Sequence, residues 1–393
     1  MKYSVIYIDY NFENVKYKNR PEDGDAYYTY GFGSLYARQF KRYMPHWEVQ
    51  CWKADRFATE VSSRLIQGVN HIIFPAAKLG RAGFFSGKML KHAKAFINQN
   101  PSMVFNVSGF DHLLHFQMSL LGRKCPVFVQ HHGESPAVHK IRSSSGVKFI
   151  YWYLWSFIEK SALNRTHQVY LLDAEAGNYL RINKSRLKVS TTGVDAELFP
   201  SIDKKVAREK LGLNQDAEYL LFIGRLNSSK RADMLISAYL KLKVEFPGLE
   251  LLIGGCSQDD PFFRMARDAG AKLTGMIPQH EVAIWLSAAN AYSLPLLDTA
   301  HLFGGLGMLP VQSMLCNTPV VGSTLKCFPA GDRHKVGVFT DNQPDLECAL
   351  RDILSGKSTF PLTRDIALKY YSWQSISEKT SSDYLNAIKT VCQ

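Results

Sequence analysis

The sequence lacks several features that mark particular classes of protein. Its seven cysteines include no Cys-x-x-Cys pair, which removes the usual start of a zinc or redox site. No run of about 18 apolar residues, the length that crosses a membrane, is present. The longest candidate, Val147 to Ile158, contains Lys148 and Ser156, and low-complexity tracts and short repeats are missing. We therefore expect a folded cytoplasmic protein with reduced thiols and no membrane-spanning segment.

Length sets the next expectation. A chain of 393 residues is about two to three times the size of a typical domain, so two cores are expected. The apolar run near the N-terminus ends at Asp9, too early for a secretory leader, and is predicted to be the first β-strand.

Positive charge is concentrated in the first half of the chain. Residues 1–200 contain 26 lysines and arginines against 15 acidic residues, whereas residues 201–393 contain 21 against 20. The first half therefore carries +11 of the formal net charge of +12. A basic surface favours anionic membranes, anionic substrates or nucleic acid, and no nucleic-acid motif occurs here. We predict contact with an anionic membrane or an anionic acceptor; a solvated surface is the alternative, and nucleic acid is not expected.

Strand-like apolar runs alternate with helical stretches, which predicts an α/β protein with parallel sheets covered on both faces. The first series runs from Val5 to Ser190 and the second from Tyr219 to Phe339. Between them, the polar segment 195–210 is predicted to be an interdomain linker. The predicted domains are an N-terminal domain, a C-terminal domain and a final helix, at residues 1–198, 199–368 and 369–393.

The segment Leu221 to Lys230 combines a strand, a glycine and two cations. Gly224 ends the strand-like run, and Arg225 and Lys230 bracket the turn into the next helical stretch. A glycine lets a ligand approach the backbone, and cations at a helix N-terminus can hold a diphosphate without a metal. A surface turn with two solvated charges is the alternative interpretation.

This segment resembles the start of the C-terminal domain in the family-four glycosyltransferases. Further segments resemble the same family in the same order along the chain, and together they cover most of it. They are Gly31–Gly33, Val129–Gly133, Ile158–Asp173, Gly193–Phe199, Leu249–Gly255, Leu273–Pro278, Gly304–Val321 and Tyr371–Trp373.

The resemblance implies the GT-B fold, in which two Rossmann-like doubly wound domains face each other across a cleft and a C-terminal helix returns to the N-terminal domain. It also implies a retaining, hexosyltransferase-like enzyme that needs no metal or other cofactor. Such an enzyme moves a sugar from a nucleotide diphosphate sugar to an acceptor hydroxyl. The resemblance implies that the first predicted domain binds the acceptor and the second the nucleotide sugar. The expected acceptor is a glycan or a lipid-linked glycan, as in polysaccharide biosynthesis, and the expected location is the cytoplasm or the inner face of a membrane.

The resemblance also assigns roles to single residues. Arg225 and Lys230 would stabilise the departing diphosphate. His132 would hydrogen-bond a sugar hydroxyl or orient the acceptor, with a structural strand-end histidine as the alternative. The acceptor-side loop contains Gly31 and Gly33. The donor-binding positions include Met276 at the base, together with Gly224, Asp298, His301, Gly304, Gly305, Leu306, Gly307 and Gln312.

Two positions depart from the family. Most relatives carry two glutamates around the glycine loop, where this sequence has Gly304 and Gln312. The amide of Gln312 can still bond a ribose, although charge assistance is lost. Because Gly304 has no side chain, we expect Asp298 or His301 from the preceding loop to supply the missing sugar contact.

Two metal-like patterns are interpreted as structural. His131 and His132 would point to opposite faces of a strand, so they are not expected to share a metal with Glu134 and His139. The sequence 23–25, Asp-Gly-Asp, matches the metal-binding pattern of a different glycosyltransferase fold but is interpreted as a solvated loop.

The aromatic stretch Phe149 to Ile158 is predicted to be a helix packed in the core, with anchoring at a membrane surface as the alternative. Two rival functions also remain open. They are a non-catalytic protein that binds a nucleotide or glycan, and a nucleotide-sugar epimerase on the same fold.

Overall fold

The computed structural model describes residues 2–11, 21–297 and 303–391. These residues form two compact units, which we call unit 1 (residues 2–191 and 373–391) and unit 2 (residues 192–372). The boundary lies at 191/192, before the 198/199 that the sequence predicted. The reason is local: Val194 pairs with Ser372, and Phe199 is buried in the core of unit 2.

Unit 1 is built on a largely parallel sheet. Its strands are β1 (Ser4–Tyr10), β2 (Glu48–Asp55), β3 (Ser62–Ile66), β4 (Val69–Pro75), β5 (Ala77–Lys78), β6 (Phe84–Phe85), β7 (Met103–Ser108), β8 (Val127–Gln130), β9 (Gln168–Leu171) and β10 (Leu187–Val189). Eight of them form one sheet in the order β10-β9-β8-β7-β1-β2-β4-β3, and β5 and β6 form a separate two-stranded sheet. The edge strand β3 is antiparallel to β4, and the sequence analysis did not identify it.

Helices of unit 1 join successive strands, as expected for parallel pairs, which need a crossover. They are α1 (Asp25–Thr29), α2 (Phe32–Tyr43), α3 (Gly87–Gln99), α4 (Leu113–Ser119), α5 (Ala137–Arg142) and α6 (Gly146–Arg165). The first strand, β1, is buried along nearly its whole length, in keeping with its apolar sequence.

Unit 2 repeats the pattern with six parallel strands. They are β11 (Glu218–Ile223), β12 (Leu249–Gly254), β13 (Lys272–Gly275), β14 (Ala291–Ser293), β15 (Val320–Val321) and β16 (Gly337–Val338), in the order β13-β12-β11-β14-β15-β16. The helices are α7 (Lys204–Lys210), α8 (Ala232–Glu245), α9 (Phe263–Asp268), α10 (Val282–Ala288), α11 (Met308–Leu315), α12 (Gln343–Leu354) and α13 (Thr363–Tyr371).

The predicted linker at 195–210 was wrong for its second half. Helix α7 occupies residues 204–210 and belongs to unit 2. The Asp203 side chain caps this helix by accepting hydrogen bonds from the backbone of Lys205 and Val206. A polar composition misled the prediction because a short surface helix is as polar as a linker.

The last helix, α14 (Trp373–Val391), returns to unit 1, as predicted. Its residue Tyr384 is fully buried in the aromatic core of that unit and hydrogen-bonds Asn106 of β7. The Trp47 indole also donates to Ser381, over 3.2 Å. These buried contacts fix the C-terminal segment to the first sheet.

Helix α6 was only partly predicted. Trp155, Glu159 and Leu163 lie on a buried face, but the other face exposes six large apolar side chains, so the prediction of core packing was wrong there. The exposed residues, which we call the α6 stripe, are Val147, Phe149, Ile150, Tyr153, Leu154 and Phe157. Among the described residues, no helix is long and apolar enough to cross a bilayer.

Glu159 should make the stability of unit 1 depend on pH. Its carboxylate accepts a 3.0 Å hydrogen bond from the backbone of Ala137, at the start of α5, and burial raises its pKa from the usual 4.5 to about 8. As pH rises through that window, the unfolded chain releases a proton that the folded chain keeps, so the free energy of unfolding should fall. Urea unfolding of wild type and Glu159→Gln from pH 5 to pH 8 measures this fall.

The Glu159→Gln variant should lose this pH-dependent decrease and become more stable than wild type as pH rises. The exposed Glu60→Gln in the same unit is the matched control and should unfold like wild type. Parallel pH profiles for wild type and Glu159→Gln would contradict the prediction.

Candidate functional site

Each sheet reverses its winding at one point. In doubly wound sheets a crevice opens there, at the carboxyl ends of the strands. The reversal lies between β1 and β7 in unit 1, and between β11 and β14 in unit 2. Residues that the sequence analysis assigned to a site lie at this edge in each unit.

In unit 2, the loop after β11 brings Lys230 onto the backbone of Gly224. A Cβ atom built on Gly224 would lie 2.1 Å from the Lys230 Nζ atom, and the glycine has a φ of +147°. Only glycine therefore leaves room for the amine here. The Asn227 side chain closes the turn by accepting a 3.1 Å hydrogen bond from the Lys230 N–H.

This loop contains two cationic side chains. The Arg225 side chain is exposed, and Lys230 is half-buried. The pKa of Lys230 is lowered, first by burial and then by the nearby Arg225, while Asp260 opposes the shift. Asp260 also accepts a 2.9 Å hydrogen bond from the Leu226 N–H and so holds the loop to the residues after β12. An anion at this edge would relieve the repulsion between the two cations.

The second predicted segment of unit 2 is the glycine loop before α11. Gly304 is exposed, Gly305 and Gly307 have positive φ angles of 62° and 80°, and Gly307 is the residue that precedes the helix. The Leu306 carbonyl accepts a 2.8 Å hydrogen bond from Thr324, which fixes the loop. The first N–H groups of α11 have no side-chain cap, so they can bind an anion.

The remaining donor-side predictions differ in their surroundings. Gln312 is buried one turn into α11, and Met276 is exposed just after β13. Leu297 N–H donates to the Ser229 carbonyl over 3.0 Å, which joins the segment after β14 to the Lys230 loop. Asp298 and His301 lie outside the described residues.

In unit 1, the glycines before and within α2 allow close contact with Asp9 at the end of β1. A Cβ atom on Gly31 would lie 2.7 Å from the Asp9 Oδ2 atom, and one on Gly33 would lie 2.8 Å from the Asp9 Cβ atom. The Asp9 carboxylate accepts 2.8 Å hydrogen bonds from the backbone of Tyr10 and Gly33. Burial raises its pKa, whereas Lys53 and these two N–H groups lower it.

His132 follows β8 at the same edge. Its ring stacks on Phe32, with centroids 4.3 Å apart and planes 8° apart, and meets the edge of Tyr36. Burial, followed by His131 and His112, lowers its pKa to about 3, so the imidazole is neutral at physiological pH. Both ring nitrogens are buried and have no hydrogen-bond partner among the described residues. A neutral imidazole can donate one hydrogen bond and accept another, as a sugar hydroxyl requires.

A pocket of about 480 Å³ lies at this edge of unit 1. It contains several residues that the sequence analysis did not assign to it: Asp9, Tyr10, Tyr30, Phe32, Leu35, Ser108, Gly109, Asp111 and Glu134. Asp9 lies near the end of the apolar strand β1. A carboxylate at the carboxyl end of a buried strand is a sequence feature from which a ligand site could have been predicted. Asp111 and Glu134 lie in loops without a local pattern, so only the fold reveals them.

His131 is structural. Its ring stacks on Phe110, and its Nε2 atom lies 2.8 Å from the Glu134 carbonyl oxygen. The ring of His139 meets Tyr179 instead. Within the described parts of the chain, no group of three histidine, cysteine or acidic residues could hold a metal ion. Asp25, from the Asp-Gly-Asp sequence, forms an exposed ion pair with Arg64.

Comparisons with known proteins agree with this architecture. Residues 203–358 match the family described as glycosyl transferases group 1. The D-inositol 3-phosphate glycosyltransferase of Frankia alni is 30% identical over 182 residues, which cover 43% of this chain and 42% of that protein. The chain thus spans less than half the length of this curated relative.

Two solved structures resemble the whole chain. Sucrose-phosphate synthase from Thermosynechococcus elongatus has a TM-score of 0.64 and 16% identity, over 99% of this chain and 100% of that one. HepE from Anabaena, solved in complex with UDP, has a TM-score of 0.63 and 14% identity, over 98% of this chain and 99% of that one. These likenesses show the GT-B fold with two Rossmann-like domains.

The electrostatic interaction between Arg225 and Lys230 can be tested directly. Replacing Arg225 with alanine should raise the pKa of Lys230, because a like charge is removed while burial stays. An NMR pH titration of ¹³C-labelled lysine Cε atoms measures this shift. Arg264→Ala, which removes an exposed arginine of the same unit, should leave the Lys230 pKa unchanged. Equal Lys230 titrations in wild type and Arg225→Ala would contradict the interaction.

Proposed function

We propose that this chain, whose residues 203–358 match the group 1 glycosyl transferases and which has the GT-B fold, transfers a sugar from a nucleoside diphosphate sugar to an acceptor hydroxyl. The observation that carries the proposal is the Lys230 amine packed on Gly224, beside Arg225, where the sheet of unit 2 reverses. The proposed transfer is hexosyltransferase-like, retains the anomeric configuration and needs no metal.

The diphosphate would bind to Arg225, Lys230 and the N–H groups that open α11 behind Gly305 and Gly307. All of these groups are positive or are hydrogen-bond donors, and such preorganised groups stabilise a leaving anion. Met276 would contact the base, and Gln312 would hydrogen-bond the ribose. The structurally similar HepE was solved with UDP and with UDP-glucose, which makes uridine diphosphate the first nucleotide to test.

The chemical step needs no group beyond the substrates and these side chains. The bond between the anomeric carbon and the diphosphate oxygen breaks, and its electron pair leaves with the diphosphate. The acceptor oxygen bonds to the anomeric carbon and gives its proton to the departing diphosphate. Two cations at the diphosphate compensate its growing charge, which is the role a metal ion plays in other phosphate sites. His132, whose ring nitrogens have no hydrogen-bond partner in the described parts of the chain, would orient a substrate hydroxyl.

In the family, the first of the two glutamates lies near the donor sugar, and this sequence needs another residue for that contact. Gly304 offers no side chain at the position of the first family glutamate. We propose that Asp298 or His301 replaces that carboxylate. If neither does, the non-catalytic alternative gains support, because a nucleotide could then bind through Arg225, Lys230 and Gln312 without sugar transfer.

Replacing either cation should strongly reduce turnover. Lys230→Ala and Arg225→Ala should each lose roughly 2 to 4 kcal/mol of transition-state stabilisation, by analogy with other groups that stabilise developing charge. Nucleotide release from a panel of nucleoside diphosphate sugars, with product sugars identified, measures this loss and separates transfer from epimerisation. Lys210→Ala, an exposed lysine of the same unit, is the control. Unchanged turnover in Lys230→Ala and Arg225→Ala would contradict the assignment.

The same assay applies to Asp298→Ala and His301→Ala. At least one of them should lower transfer while nucleotide binding, measured by calorimetry with UDP, remains. If Asp298→Ala and His301→Ala both retain full turnover while Lys230→Ala loses it, neither residue replaces the family glutamate at the donor sugar. If UDP binds but no sugar is transferred by wild type, the protein is a nucleotide-binding protein on an enzyme fold.

We further propose that unit 1 binds an anionic membrane surface, on its cytoplasmic side, where a glycan or lipid-linked acceptor would be reached. The α6 stripe presents six large apolar side chains, with Val147 84% exposed. The exposed Lys148, Lys160 and Arg165 lie on the same helix, and Glu159, its one acidic residue, is buried. Apolar and aromatic side chains flanked by cations favour insertion among anionic headgroups.

Sedimentation with vesicles tests this surface. Wild type should sediment with phosphatidylglycerol vesicles, less so at high salt, and should not sediment with phosphatidylcholine alone. Ile150→Glu combined with Leu154→Glu should abolish sedimentation, because carboxylates would enter the bilayer interface. Leu65→Glu, at an exposed apolar residue of β3, is the matched control. Sedimentation that ignores lipid charge and salt, or that survives the double substitution, would contradict the proposal.

A further inference from the structure

The pocket at the edge of unit 1 has the opposite charge from the unit that contains it. Residues 1–200, which contain most of unit 1, carry a net charge of +11, yet the described residues that line the pocket include Asp9, Asp111 and Glu134 and no lysine or arginine. Two cations lie close to the pocket without lining it. Lys140 is paired with Asp111, and Lys53 is buried behind Asp9, where it donates to backbone carbonyls.

Asp111 and Glu134 are held in place but retain capacity for a ligand. The Asp111 Oδ2 atom lies 2.8 Å from the Lys140 amine. The two oxygens of Glu134 accept hydrogen bonds of 2.9 Å and 2.8 Å from the backbone of Phe110 and His132. Each carboxylate oxygen can accept two hydrogen bonds. Both groups can therefore accept hydrogen bonds from a bound molecule without losing the contacts that fix them.

The pKa of Tyr10 indicates a negative electrostatic potential inside the pocket. Its hydroxyl pKa is raised, mainly by burial and then by the charges of Asp9, Asp111 and Glu134. An anion of the tyrosine is thus disfavoured by all three carboxylates. A phosphate or carboxylate group on a ligand would meet the same repulsion at this place.

Aromatic rings supply another part of the lining. Tyr10 stacks on Phe84, with ring centroids 5.3 Å apart, and meets the edge of His112, so its orientation is fixed. Phe32 is 47% exposed and lies flat on His132. Flat apolar faces beside hydrogen-bond acceptors suit a ring that has C–H groups on one face and hydroxyl groups at its edge.

We propose that this pocket takes the acceptor, and that the acceptor is an uncharged, hydroxyl-rich ring. Its hydroxyl groups donate to Asp111 and Glu134, and its apolar face lies against Tyr10 or Phe32. This inference rests on the proposed sugar transfer. The positive net charge of residues 1–200 therefore describes the outer surface and not the pocket. The exposed cations favour binding to an anionic surface, whereas the carboxylates of the pocket disfavour an anionic substrate.

Matched acceptors test the inference. UDP release from UDP-glucose is measured with D-glucose, D-mannose and myo-inositol, and with a monophosphate of each. At least one neutral compound should stimulate release saturably, with kcat/KM at least tenfold above that of its monophosphate. Asp111→Asn should raise the KM for the neutral compound roughly fivefold to tenfold, because it loses charge assistance in one hydrogen bond, and should leave the Kd for UDP unchanged.

Asp25→Asn is the control, because Asp25 also pairs with a cation, Arg64, on the surface of the same unit. It should behave as wild type. Preference for the monophosphates, or an unchanged KM in Asp111→Asn, would overturn the inference while the sugar transfer stands. In an enzyme that binds UDP, failure of every neutral compound to bind, measured by saturation-transfer NMR, would also overturn it. Absence of nucleotide release from every member of the nucleoside diphosphate sugar panel would instead point to failure of the proposed function.

Discussion

The reversal of winding in each sheet is the constraint from which the candidate sites follow. Crossover connections between parallel strands are right-handed, so strands added on either side of the first strand place their helices on opposite faces. The loops after β1 and β7, and those after β11 and β14, therefore separate and leave a crevice. The strands themselves are covered on both faces and are therefore apolar. Polar side chains lie instead in the loops at the carboxyl ends of the strands.

Glycine performs the same task at both edges. Gly31 and Gly33 let the start of α2 reach the Asp9 carboxylate, and Gly224 lets the Lys230 amine rest on the backbone. In each case an ionisable side chain lies directly against a glycine of the main chain, and a single methyl group there would displace it. The two units thus share a way of fixing charge, although one edge holds an acid and the other a base. This opposite sign suits two different ligands.

Within unit 1, positive charge and exposed apolar side chains lie on a different part of the surface from the carboxylates of the pocket. Exposed cations, including Lys148 and Lys160, lie beside the apolar α6 stripe, whereas the described lining of the pocket contains three carboxylates and no lysine or arginine. A net charge summed over residues 1–200 cannot distinguish these regions. Screening by water and salt further limits how far the outer cations act, since the Debye length is about 8 Å at physiological ionic strength.

The sequence by itself determined the two α/β series, the order of the glycosyltransferase-like motifs and the Gly224 to Lys230 loop. These features are local, because strand and helix periods and a glycine beside a cation are written in consecutive residues. Only the tertiary structure decided that Asp9, Asp111 and Glu134 share a pocket and that one face of α6 is exposed. It also decided that segment 204–210 is a helix and that β3 is an antiparallel edge. Those outcomes depend on which strands become neighbours and which face finds a partner, and neither is encoded in a short stretch of chain.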